Sequence, residues 1–457
     1  MTRRRAVVVI DGEHYPPVVR DCVAGLGERF EVAAAAFVGG REKLRREAGE
    51  LGEEYGVPLL RTVEPGGDVA ATAAAVAALV TETGAEVFVD LSDEPVLGYR
   101  ERFVLASAAL AAGCVYEGSD FALSPPPREP FTLPSLAVIG TGKRVGKTAI
   151  AGHLARLLDR RLEATGGVVI VAMGRGGPPE PEVVLGGGVD AQALLEASRR
   201  GRHAASDCYE DAVFTGVTTV GCRRCGGGLA GAAYESSVAA ALPLVEELSP
   251  ALAVFEGSGA VVPPVLADGV VCVAGAHQPP DYVTGYLGTY RLLLSDVLVL
   301  TMCEPPFASR EAVRRLRDAA RGVRPGLEVV TTVFRPRPAT PVRGRRVAFF
   351  STAPPEALPL MSRHLEEAHG AEVVLASGAL ADRRLLVADV ERAARAADVF
   401  LTEIKAAAID VVAEAASASG IELGFCDNAP VAEGGVLDAA LGDLGTRALQ
   451  RFEERSG

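Results

Sequence analysis

Residues 137–158 read AVIGTGKRVGKTAIAGHLARLL. The run Leu136–Ile139 predicts a buried strand, and Ala149–Leu158 predicts a helix. Between them lies a glycine-rich turn, the order that suits a phosphate-binding loop. Glycines let such a loop fold tightly, so that several backbone N–H groups and the positive end of the following helix meet phosphate oxygens. The usual pattern, GxxxxGK[ST], places a glycine where this chain has Thr141; a glycine stands one residue earlier, at Gly140. Gly142 and Gly146 supply the tight turns. Lys147 is placed to reach the outer phosphates and Thr148 to bind Mg²⁺. Lys143, Arg144, Val145 and Ala149 complete the segment expected to wrap the phosphates of ATP.

Outward from this loop the chain alternates strands and helices, which predicts α/β architecture with mostly parallel sheets. The first segment, 1–130, opens with the strand Ala6–Ile10. It carries the helical stretch Val69–Thr83 and the strand Val87–Asp90, and it ends in the stiff linker SPPPREP at 124–130. Proline there can continue neither a helix nor a central strand. The second segment, 131–340, is the P-loop ATP-binding catalytic domain. Its expected strands are Leu136–Ile139, Val168–Ala172, Leu252–Phe255, Val270–Val273 and Val297–Leu300. A second proline-rich joint, RPRPATP at 335–341, precedes a smaller C-terminal α/β segment, 341–457. The expected fold is thus a central P-loop domain with a mostly parallel sheet. An N-terminal α/β domain for substrate binding or regulation flanks it on one side, and the C-terminal segment packs on it.

Composition bounds the function. The 457 residues are 49% hydrophobic and 23% charged, enough for two or three domains with their own cores. The net charge of −13 argues against a general nucleic-acid binder. It also requires that any polyanionic ligand be held by local clusters of arginine and lysine. No apolar run is long enough to span a bilayer. The opening MTRRRAVVVIDGEHY lacks the features of a signal peptide, so the expected location is cytoplasmic. The eight cysteines are scattered, and only Cys222 and Cys225 have metal-like spacing; a zinc site needs two more ligands.

Local cations do occur on glycine-rich stretches. Arg175 stands in AMGRGGPP at 172–179, and Arg223 and Arg224 stand in VGCRRCGGG at 220–228, read as a second glycine-rich turn. Together they point to a second polyanion site beside ATP. His14, in DGEHYPP at 11–17, follows a strand end, where sheets of this class place ligand groups.

The loop form GTGKRVGKT resembles that of dethiobiotin synthetase and related P-loop proteins. By that resemblance Asp190 in GVDAQAL and Glu256 in AVFEGSG join Thr148 as an all-oxygen Mg²⁺ set. The longer motifs MGRGGP, RRCGGG, EGSGA, AHQPPDY at 276–282 and DGEHYPP, with the Asp427–Asn428 pair, resemble the cyclic 2,3-diphosphoglycerate synthetase family over nearly the whole chain. The resemblance implies ATP-dependent closure of 2,3-diphosphoglycerate into a ring through an intramolecular phosphoanhydride, with release of ADP and phosphate, by a homodimer. The expected catalytic set is Lys147, Lys143, Arg175 and Glu256; the acid substrate falls to Arg175, Arg223, Arg224 and His14. Two other readings stay open on the residues alone: a nucleotide-switch or metallochaperone NTPase, and an ATP-dependent ligase or kinase on another phosphorylated acid.

Overall fold

A computed structural model describes residues 3–44, 52–187, 207–404 and 409–457. The chain packs as two units. Met1–Pro127 forms the first with Gln278–Ser295 and Arg314–Leu327; Arg128–His277, Asp296–Val313 and Glu328–Gly457 form the second.

The first unit is built on six strands: β1 (Arg4–Ile10), β2 (Phe30–Phe37), β3 (Leu60–Thr62), β4 (Val87–Asp90), β5 (Val115–Glu117) and β6 (Ala122–Leu123), in the order β3-β2-β1-β4-β5-β6. The run from Ala6 to Ile10 is buried throughout, as a strand covered on both faces should be. The chain leaves β1 toward one edge and crosses to β4 on the other side, so the β1/β4 boundary is a topological switch point. Within the same unit Tyr286 packs edge-on against Phe103, 5.3 Å between ring centroids.

The second unit holds two sheets. The larger contains β7 (Ser135–Gly140), β8 (Val168–Gly174), β9 (Glu182–Val184), β10 (Thr219–Cys225), β11 (Glu235–Ser236), β12 (Leu252–Glu256), β13 (Gly269–Gly275), β14 (Val297–Thr301) and β15 (Glu328–Thr331). Its order is β11-β10-β8-β12-β7-β13-β14-β15, with β9 added beside β10. The strands run parallel except β9 and β11, which pair antiparallel with β10. Successive strands move outward from β7 to β8 and β10, return to β12, and then cross to β13. The carboxyl end of β7 is therefore the switch point, and the P-loop leaves from it. All six β7 residues are buried.

The smaller sheet has the order β16-β20-β19-β17-β18, from β16 (Val333–Pro338), β17 (Arg346–Phe350), β18 (Glu372–Ser377), β19 (Val399–Thr402) and β20 (Glu422–Val431). Here one expectation is corrected. The proline-rich joint at 335–341 is in large part strand: β16 pairs antiparallel with β20 from Val333↔Val431 to Pro338↔Cys426. An edge strand needs ladder donors on one side only, which makes room for Pro336 and Pro338.

A long helix, Val436–Ser456, closes the larger sheet. Its Leu437, Leu441 and Leu444 join the same core as Leu136, Leu158 and Val271. Arg451 reaches Asp296 at 2.9 Å and Arg455 reaches the buried Asp268 at 3.1 Å. Burying each such leucine contributes roughly 1.5–3 kcal/mol, more than the partly exposed ion pairs can.

Candidate functional site

The P-loop, residues 140–148, is fixed from three directions. Thr141 N donates to Val273 O at 3.1 Å, which ties the loop to β13. Thr301 Oγ1 donates to Val145 O at 2.8 Å, which ties it to the end of β14. Val145 is fully buried, so the loop pivots on an apolar peg while Lys143 and Arg144 lie exposed on its outer bend. Gly146 has φ +88°, and a Cβ there would lie 2.3 Å from Cζ of Phe334 on β16. Alanine at Gly146 therefore meets a left-handed backbone, costing about 1–2 kcal/mol, and a ring that must move. We expect Gly146→Ala to weaken ATP binding clearly in calorimetry; unchanged affinity would disprove this account of the loop.

The helix Lys147–Leu162 begins at once after Gly146. Lys147 is buried, and its Nζ donates to Gly142 O at 2.6 Å, folded back over the loop that it would share with phosphate. Thr148 Oγ1 donates to Glu256 Oε1 at 2.6 Å. Glu256 is 3% exposed at the last position of β12 and faces Val138 of β7 in the ladder. Two side-chain oxygens from separate elements thus meet at the start of the helix that Lys147 opens. Ala149 is buried in the first helical turn. Asp190 lies outside the described residues. Among the described residues no group of three His, Cys, Asp or Glu side chains gathers as a metal cage. An ion here would draw its other ligands from phosphates and water, the habit of Mg²⁺.

The turn after Glu256 gathers the arginines. Gly259 has φ +63°, and a Cβ there would lie 2.8 Å from Arg175 Nη2 and 3.1 Å from Arg224 Nη2. Arg224 is held by Ser258: its Nη2 donates to Ser258 O at 2.8 Å and to Ser258 Oγ at 3.3 Å, and Nη1 donates to Gly226 O at 2.5 Å. Its Nε is buried without a hydrogen-bond partner among the described residues. Burial, and then the neighbouring charge of Arg175, hold the Arg224 guanidinium below its ordinary pKa. It stays charged at neutral pH, and the crowding is what an anion would relieve. Arg223 is exposed one residue away, opposite Gly174 in the β8–β10 ladder.

Arg223 and Arg224 sit on strand β10, not on a glycine turn; the turn begins only at Gly226. The pleat also separates the cysteines. Cys222 is buried with its thiol pushed up to about 12 by burial, while Cys225 is exposed, so the pair does not converge on a metal.

His14 belongs to the first unit. Its Nδ1 lies 2.9 Å from Oδ1 of Asp11, which is fully buried. The same carboxylate accepts from Glu13 N at 2.9 Å and, through Oδ2, from Asp93 N at 2.7 Å, lacing together the loops after β1 and β4. The imidazole is thereby oriented at that sheet's switch point. Sequence reasoning missed Asp11 in this role, although an aspartate two and three residues before the donors is a recognisable turn signal. It also missed Ser258, Thr301 and Phe334, whose contacts join distant segments and leave no local signature. His277, which follows β13, is exposed.

A parallel sheet with a glycine loop at its switch point, a Lys–Thr pair opening the next helix and a buried acid ending the adjacent strand define a P-loop nucleoside-triphosphate-binding protein. Family models narrow this further. The cyclic 2,3-diphosphoglycerate synthetase P-loop domain matches residues 135–333, the N-terminal domain of that family matches 5–124 and its C-terminal domain 338–429. The cyclic 2,3-diphosphoglycerate synthetase of Rubrobacter xylanophilus is 53% identical over 96% of this chain and 96% of its own length. Those of Thermococcus gammatolerans and Methanothermobacter thermautotrophicus are 44% and 41% identical, over 97% and 98% of this chain and 98% and 97% of their own. The chain belongs to the cyclic 2,3-diphosphoglycerate synthetase family.

Proposed function

We propose that this protein uses ATP to convert 2,3-diphosphoglycerate into its cyclic phosphoanhydride, releasing ADP and phosphate. Membership of the family supports the reaction. The observation that carries its assignment to these residues is the convergence of Arg175 and Arg224 on Gly259, three positions along the chain from Glu256. An anion pocket beside the P-loop acid is what a second, polyanionic substrate requires in a chain of net charge −13.

Two phosphates on adjacent carbons repel and do not condense unaided. In the first step an oxygen of one substrate phosphate attacks the ATP γ-phosphorus, and the bond to the β-phosphate oxygen breaks to give ADP. In the second, an oxygen of the other substrate phosphate attacks the phosphorus of the first substrate phosphate, closing the P–O–P ring, and the transferred γ-phosphoryl group leaves with the bonding electrons as inorganic phosphate. Every attacking oxygen is already anionic, so no strong base is needed. The protein's work is charge neutralisation and alignment. Lys147 releases Gly142 O to meet the outer phosphates. Lys143 and Arg144, exposed on the outer bend, add charge to the transferring group. Arg175, Arg223 and Arg224 clamp the acid substrate.

Thr148 and Glu256 fit Mg²⁺ as a pair of hard oxygen donors, with Asp190 proposed as a third. When bound, the ion screens phosphate charge. Glu256→Gln should raise the Mg²⁺ needed for half-maximal activity by roughly tenfold to hundredfold; an unchanged titration would remove Glu256 from the metal site. The reading also includes a cytoplasmic homodimer. No helix among the described residues is long and apolar enough to cross a membrane. Light scattering of the purified chain tests the dimer.

The CxxC alternative is not favoured, because Cys222 and Cys225 alternate across β10. The decisive assay follows ATP with and without 2,3-diphosphoglycerate by phosphorus NMR. ADP formation that depends on the acid, with new upfield phosphoanhydride signals, is expected. ATP hydrolysis indifferent to the acid would overturn the proposal.

A further inference from the structure

Further along the P-loop helix lies a cavity of about 310 Å³, lined among others by His153, Arg156, Asp159 and Arg160 of that helix, Arg337 of β16 and Pro430 of β20. Arg156 stands roughly two and a half turns beyond Lys147, about 13 Å along the axis, so the cavity is separate from the phosphate loop. Three guanidiniums meet in it.

Each guanidinium is anchored through one nitrogen. Arg156 uses Nη1, which donates to Phe214 O at 3.0 Å and to Asp427 Oδ2 at 3.3 Å. Arg337 uses Nη2, which donates to the same carbonyl at 3.3 Å and the same carboxylate at 2.9 Å. Arg160 uses Nε, which donates to Arg156 O at 3.2 Å. The other donors of these forks make no hydrogen bond among the described residues.

The nearby acids are already engaged. Asp427 is shared by two arginines, Asp159 accepts from Val168 N at 2.9 Å, and Asp438 meets His153 Nε2 at 2.7 Å. Burial first, and then Arg337 and Arg160, hold Arg156 below its ordinary pKa against the pull of Asp427. Several open guanidinium forks around one small polar cavity match a tetrahedral, multiply charged anion better than a single carboxylate.

We propose that this cavity is a further anion site, which takes a small phosphate-bearing anion independently of both the P-loop and the Arg175–Arg224 pocket. The ligand would bridge the P-loop helix to β16 and β20, on the shaft of the helix whose first turn carries Lys147 and Thr148. Two sources share this chemistry: inorganic phosphate and a phosphorylated acid.

The test uses the full chain with its P-loop saturated by a non-hydrolysable ATP analogue and Mg²⁺. Inorganic phosphate is titrated by calorimetry. Binding is expected in the parent chain and in Arg175→Ala, and its affinity should fall at least about tenfold in the double variant Arg160→Ala, Arg337→Ala. Arg156 still holds Asp427 in that variant, and a melting curve without phosphate verifies folding. Should the double variant fail to fold, Arg160→Ala alone should lose at least about threefold. Titrating 2,3-diphosphoglycerate into Arg175→Ala, with and without the cavity substitutions, distinguishes the sources: acid binding tighter than phosphate that the cavity substitutions weaken names the acid as occupant, and acid binding that they leave unchanged names phosphate. No phosphate binding by the parent chain, equal affinity in the folded cavity variant, or loss through Arg175→Ala alone overturns the proposal.

Discussion

Turnover of Lys147→Ala should fall by about a hundredfold to a thousandfold, the usual cost of losing one preorganised charge or donor at the point where charge develops, roughly 2.7–4 kcal/mol. The lysine is buried against the loop, its Nζ donating to Gly142 O at 2.6 Å. The variant frees that carbonyl beside a site that water can enter, so the chain should keep its melting temperature within a few degrees. Turnover is read from ADP release at saturating acid. A folded variant with near-normal activity would dissociate the loop from catalysis, and with it the ATP-dependent reaction.

The arginine pair should answer differently. Arg175→Ala is expected to weaken 2,3-diphosphoglycerate by about tenfold to hundredfold while leaving ATP nearly unchanged, the range of one charge-assisted contact, roughly 1.5–3 kcal/mol. Arg224→Ala should cost at least as much. Arg224 is the more buried of the two and is fixed by Ser258, so its geometry is set before the substrate arrives. Because several ion pairs share the work, rising salt should weaken the acid more than the nucleotide. Calorimetry with each ligand in turn separates the cases. Loss of ATP affinity with the acid untouched would assign Arg175 to the nucleotide and remove the main support for a second polyanion pocket beside the loop.

Much of this was legible in the chain. Strands such as Val297–Thr301 and Arg346–Phe350 are apolar and β-branched or aromatic, and their ends are marked by polar turns. The P-loop was legible for the same reason: its strand, glycines and helix are contiguous. Strand β10 was not, since TVGCRRC mixes glycine and arginine, and only the inward Val220 and Cys222 keep the apolar period. Strand β16 was hidden by its prolines, which are tolerated because β20 pairs with it on one side. The meeting of Arg175 and Arg224 over Gly259 joins three separated segments, and no local pattern encodes such a meeting. The Asp11–His14 contact was within reach of sequence reasoning, because its residues are three apart.

The helix Val436–Ser456 bears on how the protein comes into being. Leu437, Leu441 and Leu444 complete the core under β7 and β13, yet they are synthesised after the entire smaller sheet. While a ribosome is still making that sheet, the sheet carrying the P-loop has all its strands and lacks part of its cover. The nascent chain must therefore carry an open apolar face through the interval, a hazard of long-range closure. Competence to bind nucleotide would then arrive late in synthesis, when the last leucine seats, instead of when the P-loop itself emerges.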